Sequence, residues 1–263
     1  KRFGYSEPNK DISDLLLVCL SSIIRRASNA DNESQKTYVS HTNVKEPEET
    51  LSLFKAQLEL FKTRIAEFSA CVDPHLMRQI ICSSSTSVLS NKIGGRSADI
   101  AITSPPYIKA IDYIYNQMVE LFWIGDLFDM QTQTNQNLKK KDYIGTKHLP
   151  KRRYAEYSPF LSMLGITKLD EKLKAVYTDD KKNGHKHAYV VFKYFLDMEQ
   201  HFAQMAKCLT PGAHYIMVIG DTSVSGIPFE TTEFLMLLAE RNGFKMINKW
   251  GYQIKNRYMR FDR

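Results

Sequence analysis

The alternation of short apolar runs with helical patterns after residue 78 constrains the fold of this chain more than any other feature. Apolar runs of strand length occupy residues 79–82, 98–103, 214–219 and 245–255, and helical patterns occupy residues 113–128, 194–209 and 231–241. Strands that alternate with helices are typical of a doubly wound α/β sheet, whose ligands bind beyond the carboxyl ends of the strands. We therefore expect a Rossmann-like sheet with its functional site at that edge.

The N-terminal part is predicted to be helical instead. We expect a helix from Asp11 to Arg26, a polar loop over residues 27–46, and a second helix from Pro47 to about Asp73. An apolar stripe on the second helix predicts a buried face; it comprises Leu51, Phe54, Leu58, Phe61, Ile65 and Phe68. The expected organisation is a helical segment or insertion over 1–75 and an α/β part over 76–263, which contains a basic insertion at about 131–190.

The composition narrows the possible partners. A formal net charge of +7 and a pI near 9.1 favour a polyanionic partner. No CxxC pair exists among Cys19, Cys71, Cys82 and Cys208, so we expect neither a disulfide framework nor a metal site. No run approaches the roughly 20 apolar residues that span a bilayer, and the N-terminus lacks the apolar region of a signal peptide. We expect a cytoplasmic protein without a membrane partner.

The turn Thr103-Ser104-Pro105-Pro106-Tyr107 directly follows the apolar run 98–103. This position places it at the carboxyl edge of the expected sheet. Two consecutive prolines fix the backbone and remove two N–H donors, so the turn is stiff and its carbonyl groups remain available as acceptors. An isolated tetrapeptide of this kind favours a rigid surface turn or a proline-rich ligand. Its position after a strand and the sequence around it favour a functional site instead.

The turn and its surroundings resemble the DNA amino-methyltransferases, which carry a Ser/Asp/Asn-Pro-Pro-Tyr/Phe motif after a strand. The resemblance extends through residues 112–114, 120–125 and 219–222 and covers about residues 78–260. It implies methyl transfer from S-adenosylmethionine to an exocyclic amine of DNA, most often cytosine N4, in a prokaryotic restriction-modification setting. The implied catalytic residues are Ser104, Pro105, Pro106 and Tyr107, with Tyr107 stacked on a base swung out of the duplex.

The chain departs from this family at the cofactor site. It contains no Gly-x-Gly, although the family binds S-adenosylmethionine with a glycine-rich turn. The resemblance leaves Ser84, Ser85, Thr103 and Asp221 as the candidate cofactor residues; a plain serine turn and a structural cap by Asp221 are equally open. We expect the glycine-rich half either to precede Lys1 or to lie on a partner chain, and a degenerate, inactive domain is the remaining alternative.

A basic stretch beyond the turn is the candidate DNA contact, because phosphate binding needs clustered cations. It comprises Lys139, Lys140, Lys141, Lys147, Lys151, Arg152 and Arg153. The second basic stretch, residues 181–187, is predicted to be a solvated turn rather than a metal site, because its histidines lack carboxylate or thiolate companions. Two rival functions remain: methylation of adenine N6 or of an RNA base, and a silent methyltransferase-like subunit that binds nucleic acid.

Overall fold

A computed structural model describes residues 10–30, 39, 44–77, 79–87, 89–109, 112–128, 130, 132–141, 143–179 and 183–252. The helices are α1 (Lys10–Ile24), α2 (Thr50–Cys71), α3 (Leu89–Ile93), α4 (Tyr113–Asn116), α5 (Met118–Ile124), α6 (Gln133–Lys139), α7 (Lys151–Ala155), α8 (Thr167–Thr178), α9 (Gly184–Cys208) and α10 (Thr231–Arg241), with a 3-10 helix at Gly125–Phe128. The strands are β1 (Ala98–Thr103), β2 (Leu209–Met217), β3 (Thr222–Val224) and β4 (Ile227–Phe229).

The chain divides into two compact units. The first contains Lys1–Gln79, Asp112–Lys139 and Ile254–Arg263, and the second contains Ile80–Ile111 and Lys140–Gln253. The turn after β1 and both stretches of basic residues beyond residue 139 belong to the second unit, whereas Lys139 belongs to the first.

The first unit is helical, as predicted. Helix α1 packs against α2 and α5, with Cys19 and Ile23 buried on its inner face. The carboxylate of Glu49 caps α2 by accepting hydrogen bonds from the amides of Leu51 and Ser52, which have no partner within the helix. The prediction that 27–46 forms a loop falls largely on residues outside those described.

The predicted burial of the apolar stripe on α2 is wrong. Leu51, Ile65 and Phe68 are exposed, and Leu53 is the buried residue of this helix. Residues of α2 are buried where α1 packs against the helix. Helical spacing alone does not indicate whether a neighbouring element also covers the rest of the stripe.

The second unit is built on a parallel pair of strands. Strand β1 pairs with β2, with Ile102 opposite Ile216 and Thr103 opposite Met217. Strands β3 and β4 form an antiparallel hairpin, whose two turn residues, Ser225 and Gly226, both adopt positive φ, as a tight hairpin turn requires. The helices α8, α9 and α10 pack with β2 around one apolar core. The larger doubly wound sheet stays a prediction, since the described residues form these two strand pairs.

Several predicted elements need correction. Neither 79–82 nor the described part of 245–255 forms a strand, and Ile80 and Ile247 lie exposed. The helix expected over 113–128 is divided into α4, α5 and the 3-10 helix, and the helix expected from 194 begins ten residues earlier, at Gly184. The supposed insertion 131–190 contains α8, whose Leu169 and Leu173 are completely buried, because its apolar residues complete the core against α9.

Candidate active site at the carboxyl end of β1

The Ser-Pro-Pro-Tyr turn leaves the sheet where β1 ends. The carbonyl of Thr103 still accepts a hydrogen bond from the Val218 amide at 2.9 Å, so the ladder with the β2 segment continues to this point. Beyond it, Pro105 is buried and anchors the turn, whereas Ser104 is exposed and its hydroxyl makes no hydrogen bond among the described residues. The side chain of Tyr107 is 48% exposed. The turn thus presents a free hydroxyl and an open aromatic ring at the carboxyl edge of a parallel pair.

The loop after β2 meets the Tyr107 ring. A Cβ atom at Gly220 would lie 4.0 Å from the Tyr107 hydroxyl, so even a small side chain there would touch the ring's polar end. From α9, the buried Tyr194 hydroxyl lies close enough to feel the charges of Tyr107 and Tyr215, and burial raises the pKa of Tyr194. The Tyr194 hydroxyl has no hydrogen-bond partner among the described residues. A buried donor of this kind beside a candidate site is costly unless a partner is available there.

A second polar contact lies deeper along the same helix. His201 Nε2 and the Tyr215 hydroxyl are 2.8 Å apart, which joins α9 to β2. Burial lowers the pKa of His201, and the Ser85 backbone carbonyl opposes that shift. The serine loop, residues 83–86, leads towards α3, where the Ser90 hydroxyl donates a hydrogen bond to Gln204 Oε1 of α9 at 2.9 Å. Within the loop, the Ser84 hydroxyl accepts from the Thr86 amide at 3.3 Å and lies 2.9 Å from the Thr86 hydroxyl, so it supports a local turn.

Asp221 stabilises a helix start. Its Oδ1 accepts hydrogen bonds from the Thr232 amide at 3.0 Å and from the Thr232 hydroxyl at 2.9 Å. Both donors lie in the first turn of α10, where backbone amides have no partner within the helix. The capping role that the sequence left open for Asp221 is therefore present in the structure, and a cofactor role for this carboxylate stays a prediction.

The basic stretch of the second unit is largely presented to solvent. Lys141, Lys147, Lys151, Arg152 and Arg153 are exposed, the last three on α7, and Lys140 is half-buried. The structure also joins this stretch to the second basic stretch. A cavity of about 240 Å³ is lined by Lys151, Tyr154, Ala155, Asn183, Gly184, His185 and Lys186. The prediction of a solvated turn at 181–187 is wrong for Gly184 to His187, which form the first turn of α9, because this turn packs against α8.

Sequence reasoning missed three residues near the turn. Lys109 follows Tyr107 by two positions and adopts φ 57°, and its half-buried ammonium group acts electrostatically on His187. His187 Nδ1 lies 3.0 Å from the Ser225 hydroxyl in the β3–β4 turn. The sequence carried one signal, a lysine directly beside the motif; the approach of His187 and Ser225 depends on the packing of α9 against the hairpin.

Comparison with known proteins gives no match: no family model, no curated protein sequence and no solved structure is similar to this chain. Among the residues that the structure describes, no helix combines the length and apolar character needed to cross a bilayer. In the same part of the chain, no three His, Cys, Asp or Glu side chains come together as metal ligands would. The site must therefore be judged on its own geometry.

Proposed function

We propose that this chain carries the base-binding half of an S-adenosylmethionine-dependent methyltransferase that modifies an exocyclic amine of DNA, with cytosine N4 as the first choice. The observation that carries the proposal is the Ser-Pro-Pro-Tyr turn at the carboxyl end of the parallel strand β1. Its Ser104 hydroxyl has no hydrogen-bond partner among the described residues, and its Tyr107 ring is open to solvent. Ligands of parallel α/β sheets bind at this edge.

Each residue of the turn has a physical task in that reaction. An amine conjugated to a ring is a poor nucleophile, and two acceptors for its N–H bonds stabilise the positive charge that develops as nitrogen forms a new bond. The Ser104 hydroxyl and the Pro105 carbonyl are the proposed acceptors. The Tyr107 ring would stack on the extruded base, a contact that contributes about 1–3 kcal/mol. The stiffness of two prolines holds these groups in one arrangement.

The cofactor itself does not fit the residues present. Ser84 supports a turn with Thr86, Asp221 caps α10, and the sequence contains no Gly-x-Gly for close approach to the nucleoside. We therefore propose that the glycine-rich half is supplied by another polypeptide segment, either of the same protein or of a partner chain.

The open sheet supports that second half. Within the described residues, β1 pairs with β2 alone, and the other edge of β1 faces no strand. Ile100 and Ile102 are 58% and 72% exposed, and Ile216 and Val218 are exposed beside them. Parallel sheets are normally covered on both faces, because their strands are apolar on both sides. Additional strands and a covering layer would bury this surface.

Transfer of labelled methyl from S-adenosylmethionine to unmethylated DNA tests the proposal, with a candidate polypeptide that carries the glycine-rich half added in one arm. Tyr107→Ala and Ser104→Ala should abolish transfer, and Tyr252→Ala, which removes an exposed ring elsewhere in the unit, should not. Fluorescence of 2-aminopurine at the target position measures base extrusion without transfer. A wild-type protein that neither transfers methyl in either arm nor extrudes the base would refute the proposal.

A silent subunit is the second candidate, and the commitment of Ser84 and Asp221 to structural roles favours it. Such a subunit would bind nucleic acid next to a catalytically active partner. Calorimetric titration of this chain with S-adenosylmethionine in the presence of DNA separates the two, because a silent subunit should give no heat of cofactor binding. Parallel assays on adenine-containing DNA and on RNA separate the alternative substrates.

A further inference from the structure

Three cationic side chains converge beside the Ser-Pro-Pro-Tyr turn. Burial lowers the pKa of His187, and the positive charges of Lys109 and Lys186 lower it further. Burial also lowers the pKa of the half-buried Lys109. These shifts mean that both lysines lie near His187 and disfavour its charged form. We call Lys109, Lys186 and His187 the cationic cluster.

Among the described residues, the cationic cluster has no counter-ion. None of its three members forms an ion pair with a described residue. Elsewhere in the same unit, Lys172 pairs with Glu230, and Lys193 bonds to Asp197. Two ammonium groups near an imidazole disfavour its protonation, and an anion bound among the three groups would offset that effect.

One member of the cluster also lines the cavity between α7 and α9. Lys186 belongs to both, and Lys151 and Tyr154 approach from α7. The His185 ring at the cavity wall is fixed by stacking on Tyr177, with ring centroids 4.1 Å apart and planes 16° apart. Two lysines on different elements thus face one concave surface, to which a hydroxyl-bearing ring contributes a further donor. Such a surface suits an oxyanion with several acceptor atoms.

Backbone strain fixes the cluster next to the turn. Lys109 adopts φ 57°, a left-handed conformation that costs a non-glycine residue of order 1–3 kcal/mol. Lys109 lies two residues beyond Tyr107. Its strained conformation therefore fixes the position of its ammonium group relative to the Tyr107 ring, on which the base is proposed to stack. Strain that the surrounding structure maintains is concentrated at functional sites.

We propose that the cationic cluster and the cavity lined by Lys151 and Lys186 bind the phosphodiester backbone of nucleic acid next to the extruded base. The choice of nucleic acid as the ligand rests on the proposed function. The site adds Lys109, Lys186 and His187 to the DNA contact that we predict from the basic stretch 139–153. An anion is inferred because no described acidic residue neutralises Lys109 or Lys186, and the site is placed near the base because Lys109 lies two residues beyond Tyr107.

The salt dependence of DNA affinity tests this site. Each duplex phosphate that a protein neutralises contributes about −0.9 to the slope of log K against log salt concentration. Lys186→Gln should therefore reduce the slope by about 0.9 and lower affinity on every sequence alike. The matched control is Lys207→Gln, the same change at an exposed position near the other end of α9, about 30 Å away at 1.5 Å per residue. Equal slopes for the two variants would overturn the proposal.

A second readout separates this proposal from the proposed function. Inorganic phosphate titrated into the ¹⁵N-labelled protein should shift the amide signals of His185 to His187 in the wild type and in Lys207→Gln, and not in Lys186→Gln. Those shifts in a protein that neither extrudes a base nor transfers methyl would leave the phosphate site standing and remove the methyltransferase. Absence of shifts in the wild type would overturn the phosphate site, whatever the transfer assay shows.

Discussion

Gly184 is the position where the smallest substitution should have the largest effect. A Cβ atom built there would lie 2.7 Å from the carbonyl oxygens of Val176 and Tyr177 and 3.0 Å from that of Asp179. All three oxygens belong to the backbone at the C-terminal end of α8, so no side chain can rotate away. Gly184→Ala must therefore move α8 relative to α9, and both helices line the apolar core of the second unit.

The magnitude follows from two opposing effects. Overpacking in a close-packed region costs about 1–3 kcal/mol, and three backbone contacts place this change at the upper end. Alanine is favoured over glycine within a helix by about 1 kcal/mol, and less at the first helical residue. The net loss is about 2 kcal/mol, which corresponds to a fall in Tm of about 4–8 °C for a domain of this size.

Thermal unfolding followed by circular dichroism measures this loss. The matched control is Gly251→Ala, since a Cβ at Gly251 meets nothing within 4 Å and its backbone has no positive φ. We expect the control to change stability by less than about 0.5 kcal/mol. If Gly184→Ala unfolds at the wild-type temperature or above it, the close approach of α9 to the end of α8 is not as described here.

Three further predictions concern single side chains. Asp221→Ala removes both hydrogen bonds to Thr232 and should cost about 1 kcal/mol in urea unfolding, whereas Asp221→Asn, which keeps an acceptor, should cost less; equal losses would argue against the cap. Leu173→Ala should cost about 2–5 kcal/mol because Leu173 is completely buried, and Leu161→Ala, at an exposed position, should change little; similar values for both would contradict the burial. The pKa of His187 in the free protein lies below its ordinary value of 6.5, so more of the imidazole is neutral near that pH. A bound phosphate should raise this pKa, and protons should therefore be taken up on binding. DNA affinity should accordingly rise as the pH falls from about 7.5 to about 5.5, and His187→Gln should remove part of that rise; an identical profile for His187→Gln would exclude His187 from the contact.

The sequence by itself determined the elements whose signals are local. The apolar run 98–103 is β1, the pattern over 231–241 is α10, and the helix expected from Asp11 is α1. The position of the Ser-Pro-Pro-Tyr turn at the carboxyl end of a parallel strand also followed from the sequence, because strand length and proline placement are properties of neighbouring residues. The methyltransferase activity remains a prediction that the proposed assays test.

Only the tertiary structure decided which faces are covered. Helix α8 lies in a stretch that is polar on one side, and its burial depends on packing against α9, the next helix along the chain. The apolar stripe of α2 has the spacing typical of a buried helix face, and yet it is partly exposed. Ile80 is exposed as well, although it belongs to an apolar run that predicts a strand. Sheet pairing and burial depend on partners distant in sequence, which periodicity does not specify. The same limit explains why the cationic cluster was missed: Lys109 and His187 are 78 positions apart, and their meeting depends on where α9 begins.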